Sequence, residues 1–219
     1  MSINHHPSDE LLLDYATGAM EESWALAIAT HLALCPKCRQ AIASLEALGG
    51  HLLESIEPSL MTTREFDAVM ARLKIFTPEL DLQTVAVANV HEYVLPQPLR
   101  EYVGSDVDRL KWQRLGLGAF QFLVRTKDSV ATVRLLRIPA GRAVPRHTHR
   151  GLELTLVVSG AFFDETGFYG RGDLQEADAD LTHQPHAEKG EDCICLAITD
   201  APLRFSNVAV RMVQPLLGI

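Results

Sequence analysis

No apolar run in this sequence is long enough to cross a bilayer. The longest, Trp24 to Leu34, is broken by Thr30 and His31 and falls short of the ~20 residues that a spanning helix needs. The opening residues, 1–7, lack a basic stretch leading into an apolar core, so no export signal is expected and a cytoplasmic location is. An excess of positive charge is missing too. Lys and Arg total 20 against 28 Asp and Glu, a net charge of −8, which argues against a direct grip on nucleic acid. Cysteine is sparse, with four in 219 residues. In a reducing compartment those four are expected as metal ligands or redox groups rather than as structural disulfides. Internal repeats and low-complexity tracts are absent. The remainder, 47% apolar and 22% charged, is ordinary globular composition, and the length suits one or two domains.

The acidic excess sits in one part of the chain. Residues 1–90 hold 12 Asp/Glu and 5 Lys/Arg, a net of −7, and residues 91–219 hold 16 and 15, a net of −1. The same division separates two kinds of pattern. Ser8, Asp9 and Glu10 look like a helix start and Gly18 a stop. Glu21 to Cys35 reads as a second helix. Pro36 suits the first turn of a third, which is expected to end at Gly49 and Gly50. Thr62 or Thr63 can cap a fourth, with Phe66, Val69, Met70 and Leu73 on one face.

Beyond about residue 84 the pattern shortens to strands: 85–89, 91–95, 119–125, 130–138, 152–158, 161–163, 167–172, 173–177 and 193–198, divided by Gly-rich turns. That implies an all-β sandwich or barrel. Two domains follow, a helical one over 1–85 and a β one over 90–219, with a boundary near residues 74–90.

Three constellations carry chemistry. His31 and Cys35 are four apart, on one face of a helix, and Cys38 completes a C-x-x-C turn around Pro36. Two thiolates and an imidazole are a borderline-soft set that suits tetrahedral zinc, and His5 or His6 can supply the fourth ligand. No strand precedes the cysteine pair, which argues against a thioredoxin-like redox motif. His147 and His149 alternate along a strand and so share a face, with Glu153 on the next strand. This mixed N/O set accepts zinc, iron, manganese, nickel or copper, and its fourth member is His183 or His186. Cys193 and Cys195 also share a strand face. They are either buried packing thiols or, if they lie near the metal, oxidisable ones.

The spacing from Gly141 through His147, His149 and Glu153 to Gly160 resembles the first cupin motif at every position. The second cupin motif is poorer: Gly172 and His183 are in place, but the usual Pro-x-Gly and terminal Asn are not. The His31, Cys35 and Cys38 spacing, with a histidine upstream, resembles the zinc-binding anti-sigma domain. Both together, in this order and at this length, resemble the ChrR-type anti-sigma factors.

The resemblance implies a helical zinc-binding anti-sigma domain followed by a cupin barrel. It implies zinc on His6, His31, Cys35 and Cys38, with His6 preferred to His5. It implies a second divalent metal on His147, His149, Glu153 and His183, zinc first, with iron, manganese or nickel as alternatives. The partner implied is an extracytoplasmic-function sigma factor, masked by the helical domain. Release would follow singlet oxygen or organic peroxide, sensed through the cupin, with Cys193 and Cys195 as possible redox groups. This is a regulator and not an enzyme, and the negative first part suits a basic partner. Two other classes stand beside it. One is a metal-dependent cupin dioxygenase with a helical extension, and the other a metal-binding module without a protein partner.

Overall fold

The computed structural model describes residues 2–60, 62–75, 93–116 and 118–207. Four helices come first: α1 Asp9–Thr17, α2 Glu22–Leu34, α3 Pro36–Glu54 and α4 Thr63–Ile75. A short helix, α5 Gln97–Val103, and a 3-10 turn at Val107–Arg109 precede the strands. These are β1 Gln113–Gly116, β2 Ala119–Val124, β3 Thr132–Ile138, β4 His147–Thr148, β5 Glu153–Ser159 and β6 Ala161–Asp164. Then come β7 Gly167–Gly170, β8 Leu174–Ala177, β9 Thr182–His183, β10 His186–Ala187, β11 Cys193–Thr199 and β12 Arg204–Phe205. Among the described residues no helix is long and apolar enough to cross a membrane.

Local rules account for some of the helix ends. Gly18 closes α1 in the left-handed conformation, φ 72°, with its N–H donating to the Tyr15 carbonyl. Thr62 and Glu65 form a reciprocal capping box at α4: the Glu65 carboxylate accepts from the Thr62 N–H at 2.7 Å, and the Thr62 hydroxyl accepts from the Glu65 N–H at 3.3 Å. The expected stop at Gly49 and Gly50 does not occur. Helix α3 runs on to Glu54, because both glycines are exposed and one unfavourable pair costs less than breaking a long helix. The expected strand at 85–89 lies outside the described residues. In the expected strand at 91–95, the described part, Tyr93–Leu95, is a bend that leads into α5.

The chain divides into two compact units. One joins residues 1–46 to 93–219, and the other is residues 47–92. In the second unit the apolar residues Phe66, Val69, Met70 and Leu73 of α4 are all exposed, as are Leu48, Leu52 and Leu53 of α3.

In the first unit the strands form an antiparallel sheet ordered β1-β2-β3-β11-β5-β8, with two smaller sheets, β10-β6-β7 and β12-β4-β9. The three are separate sheets around a cavity, not one continuous hydrogen-bonded barrel, among the described residues. Strands β5 and β11 are buried nearly throughout, since both faces of the large sheet are shielded from solvent. On one face Val133, Leu135, Leu154, Leu156, Val158, Leu196 and Ile198 pack with Leu12, Leu26 and Ile28 of the helices and Leu99 of α5. The alternate residues, Arg134, Leu136, Ile138, Glu153, Thr155, Cys193, Cys195 and Ala197, face the cavity. Helix α2 is therefore buried on almost every side. Each of its core side chains contributes on the order of 1.5–3 kcal/mol by leaving water.

Candidate metal centres

Helix α2 and the start of α3 place His31, Cys35 and Cys38 on facing turns, and the segment before α1 supplies His6. One donor atom from each of these four lies within 4.8 Å of the others. His6 Nδ1 is 3.5 Å from both sulfurs, and His31 Nε2 is 3.3 Å from Cys38 Sγ. His5 turns away and stacks against Tyr169, with ring centroids 4.2 Å apart. Burial pushes the His31 pKa down to about 4, so its ring is neutral near pH 7. His31 Nδ1 faces the Gly172 carbonyl at 2.8 Å. A carbonyl only accepts, so Nδ1 carries the proton and the Nε2 lone pair points at the cysteines. Burial, and then the neighbouring Cys35, pushes the Cys38 thiol up to about 12. A thiol held that high without a cation is what a bound metal would reverse.

The second centre lies at the wall of a cavity of about 790 Å³, lined mostly by apolar side chains. Strands β4 and β9 pair with His147 opposite His183, so register brings them together. His183 Nε2 is 3.1 Å from His147 Nε2 and 3.2 Å from His149 Nε2. His147 Nδ1 donates to the Pro145 carbonyl at 2.8 Å, and His183 Nδ1 meets the Asp164 carboxylate at 2.7 Å. Both rings thus keep their protons on Nδ1 and turn Nε2 lone pairs toward one point. Burial takes the His147 pKa down to about 4 and lowers that of His149 as well. Imidazole nitrogens 3.1 Å apart, each ring held from behind through its Nδ1, suit a shared cation. His149 Nδ1 is buried without a hydrogen-bond partner, and its nearest carboxylate oxygen is Glu153 Oε2 at 3.5 Å. Glu153 therefore stands beside the three histidines rather than among them, and its other oxygen accepts from the Thr155 hydroxyl at 2.8 Å. His186 lies elsewhere, stacked on Phe163.

Cys193 and Cys195 face the cavity with sulfurs 3.5 Å apart. The hydrogen bond between them, together with burial, pushes the Cys195 thiol well above its ordinary range. Asp164 escaped the sequence reading, because no motif points to it. Burial alone would raise its pKa, but hydrogen bonds from His183, Gln175 and Thr166 outweigh that and hold it well below the usual carboxylate range. Arg134, buried on β3, also lines the cavity, and its side chain donates to Gln121 at 3.2 Å.

A Cys/His cluster on helices, followed by a His cluster inside cupin-like sheets, defines a helical module joined to a cupin-like domain. Comparison with known proteins specifies it further. Residues 101–201 match the ChrR cupin-like domain family. The anti-sigma-E factor ChrR of Cereibacter sphaeroides is 46% identical over 219 residues, covering 100% of both chains. The crystal structure of Rhodobacter sphaeroides SigE in complex with the anti-sigma ChrR matches with 45% identity and a TM-score of 0.77, over 91% of this chain and 100% of that one. A cupin protein of Ralstonia eutropha matches more loosely, with 21% identity and a TM-score of 0.41 over 48% of this chain and 71% of that one. The chain belongs to the ChrR family of anti-sigma factors.

Proposed function

We propose that this protein is an anti-sigma factor that binds an extracytoplasmic-function sigma factor and holds it inactive. The observation that carries this reading is the full-length similarity to an anti-sigma-E factor ChrR, together with the match to a ChrR solved in complex with SigE. Regulation rather than catalysis is the role, and the dioxygenase alternative is set aside on the same ground. The exposed apolar residues of α3 and α4 offer a docking face, and the net charge of −7 over residues 1–90 suits a basic partner.

His6, His31, Cys35 and Cys38 are the zinc ligands in this reading. Zinc there would add folding free energy where α2 and the start of α3 meet the segment that carries His6, on the order of 10 kcal/mol in finger peptides. His147, His149 and His183 hold a second divalent cation in this reading, zinc first, and Glu153 beside them is the carboxylate that would complete the set. His147 and His183 are held by the Pro145 carbonyl and Asp164, so their Nε2 atoms need no rearrangement to serve as ligands. The cavity beside them admits a small organic molecule, and release of the sigma factor on exposure to singlet oxygen or organic peroxide would begin there. Cys193 and Cys195 are a secondary redox candidate, since the raised pKa of the Cys195 thiol slows its oxidation.

The test is co-purification with the sigma factor and transcription from a promoter that it serves. The unaltered chain should bind and silence the sigma factor. Cys35→Ser with Cys38→Ser should lose metal, binding and silencing together. His147→Ala with Glu153→Ala should still silence, but fail to release under singlet oxygen. A metal-free Cys35→Ser/Cys38→Ser protein that silences fully would overturn the first assignment. Normal release in the cupin variant would overturn the second.

A further inference from the structure

Strand β8 touches both clusters. Its residues alternate, so Gln175 faces the cavity while Leu174 and Glu176 face the other way. On the cavity side Gln175 Nε2 donates to Asp164 Oδ2 at 2.8 Å, the same oxygen that meets His183 Nδ1 at 2.7 Å. At its other face β8 and the turn before it hold the segment that carries His6. Asp173 Oδ1 accepts from the Asn4 N–H at 2.7 Å and the His5 N–H at 2.8 Å. Its second oxygen accepts from Gly170 N–H at 2.8 Å, which ties the carboxylate to the turn. The Leu174 N–H donates to the His5 carbonyl at 3.2 Å, and Glu176 accepts from the Ser8 N–H at 2.6 Å. Next to Asp173, the Gly172 carbonyl receives His31 Nδ1. Gly172 has φ +95°, a backbone conformation that favours glycine, and a Cβ there would lie 2.4 Å from the end of the Ile3 side chain, so the two segments approach closely.

We infer that Asp164, Gln175 and Asp173 are positioning residues that couple the two clusters through β8, so that the state of the cupin cluster sets how tightly the Cys/His cluster holds its metal. This rests on the reading of both clusters as metal sites. With a cation on His147, His149 and His183, the His183–Asp164–Gln175 line is held and β8, already paired with β5, is braced from its cavity side. Asp173 and the Gly172 carbonyl then present His6 and His31 to the cysteines without further ordering. When the cupin cluster empties, that line slackens, and the ordering must come out of metal affinity at the other site. Coupling of this kind is reciprocal.

The experiment uses the full-length chain and Co2+ as the probe. Thiolate-to-cobalt absorption reports the Cys/His cluster, and a competing chelator gives its affinity. His149→Ala, which empties the cupin cluster, should weaken Co2+ binding at the Cys/His cluster by roughly fivefold or more. In a Gln175→Leu background the same substitution should change it by less than about twofold, as coupled sites require. Asp173→Asn should uncouple the sites in the same way from the other end, and it decides the matter if Gln175→Leu does not fold. Cys35→Ser should weaken the cupin cluster by the same factor. Equal affinity with and without His149, or coupling that persists in the uncoupling backgrounds, would overturn the inference while leaving the metal sites standing. No thiolate band in the unaltered chain would overturn the metal reading and this inference together.

Discussion

Ile28 tests whether the first helices and the large sheet are one folding unit. Its side chain is wholly buried, in a core that α2 shares with Leu154, Leu156, Leu196 and Ile198. Ile28→Ala removes three carbons, about 2.4 kcal/mol of transfer free energy at ~0.8 per carbon. The cavity left between helix and sheet raises the total to roughly 3–4 kcal/mol, because a sheet hydrogen-bonded on both sides of β11 has little freedom to collapse into it. At an ordinary urea slope the midpoint should fall by roughly 1–2 M. The assay is urea unfolding followed in parallel by far-ultraviolet circular dichroism and by tryptophan fluorescence, which sees Trp24 on α2 and Trp112 beside the sheet. Both probes should shift together in one transition. An early helical transition, with the sheet unfolding at its original midpoint, would refute the shared core.

Other substitutions separate neighbouring residues. His183→Ala should lower the metal content of the cupin cluster, whereas His186→Ala should leave it unchanged; equal loss in both, by elemental analysis, would contradict the geometry. Gly160 has φ +66°, and an added Cβ would sit 2.5 Å from the Asp192 carbonyl oxygen, so Gly160→Ala should cost about 2–4 kcal/mol in urea unfolding. The protein stripped of metal should lose stability as pH falls. His31 and His147 take up a proton near 6.5 when unfolded but only near 4 when folded. Between those values the unfolded chain binds more protons, so each histidine removes about 1.4 kcal/mol per pH unit. Thermal melts of metal-free protein between pH 7 and 4 that show no such slope would refute the buried, neutral state.

Much of this was legible from short-range pattern. Gly18 and the Thr62–Glu65 box act within one helical turn, so spacing located the first end and narrowed the second to Thr62 or Thr63. The His31, Cys35 and Cys38 set sits within eight residues of helix and turn, and His147 with His149 sits on one strand face, so local geometry brought each group together. Alternation along β3, β5 and β11 was visible as strand, but its meaning was not. Only packing shows that the even set in β11 lies against helices while the odd set looks into a cavity.

Choices between neighbours belonged to tertiary structure. His5 and His6 differ by one position on an extended segment, and Asp173, 168 residues away from His5, fixes which way each ring turns. His183 meets His147 through the β4–β9 register, while His186 is carried off by pairing with Phe163. Asp164 and Gln175 carry no motif, because a carboxylate behind an imidazole is defined by strand pairing and not by spacing. The helices α1 and α2 were readable as helices, but the sheet that covers them was not readable as their partner. Amphipathic pattern says that a face must be buried; what buries it is decided by the path of the whole chain.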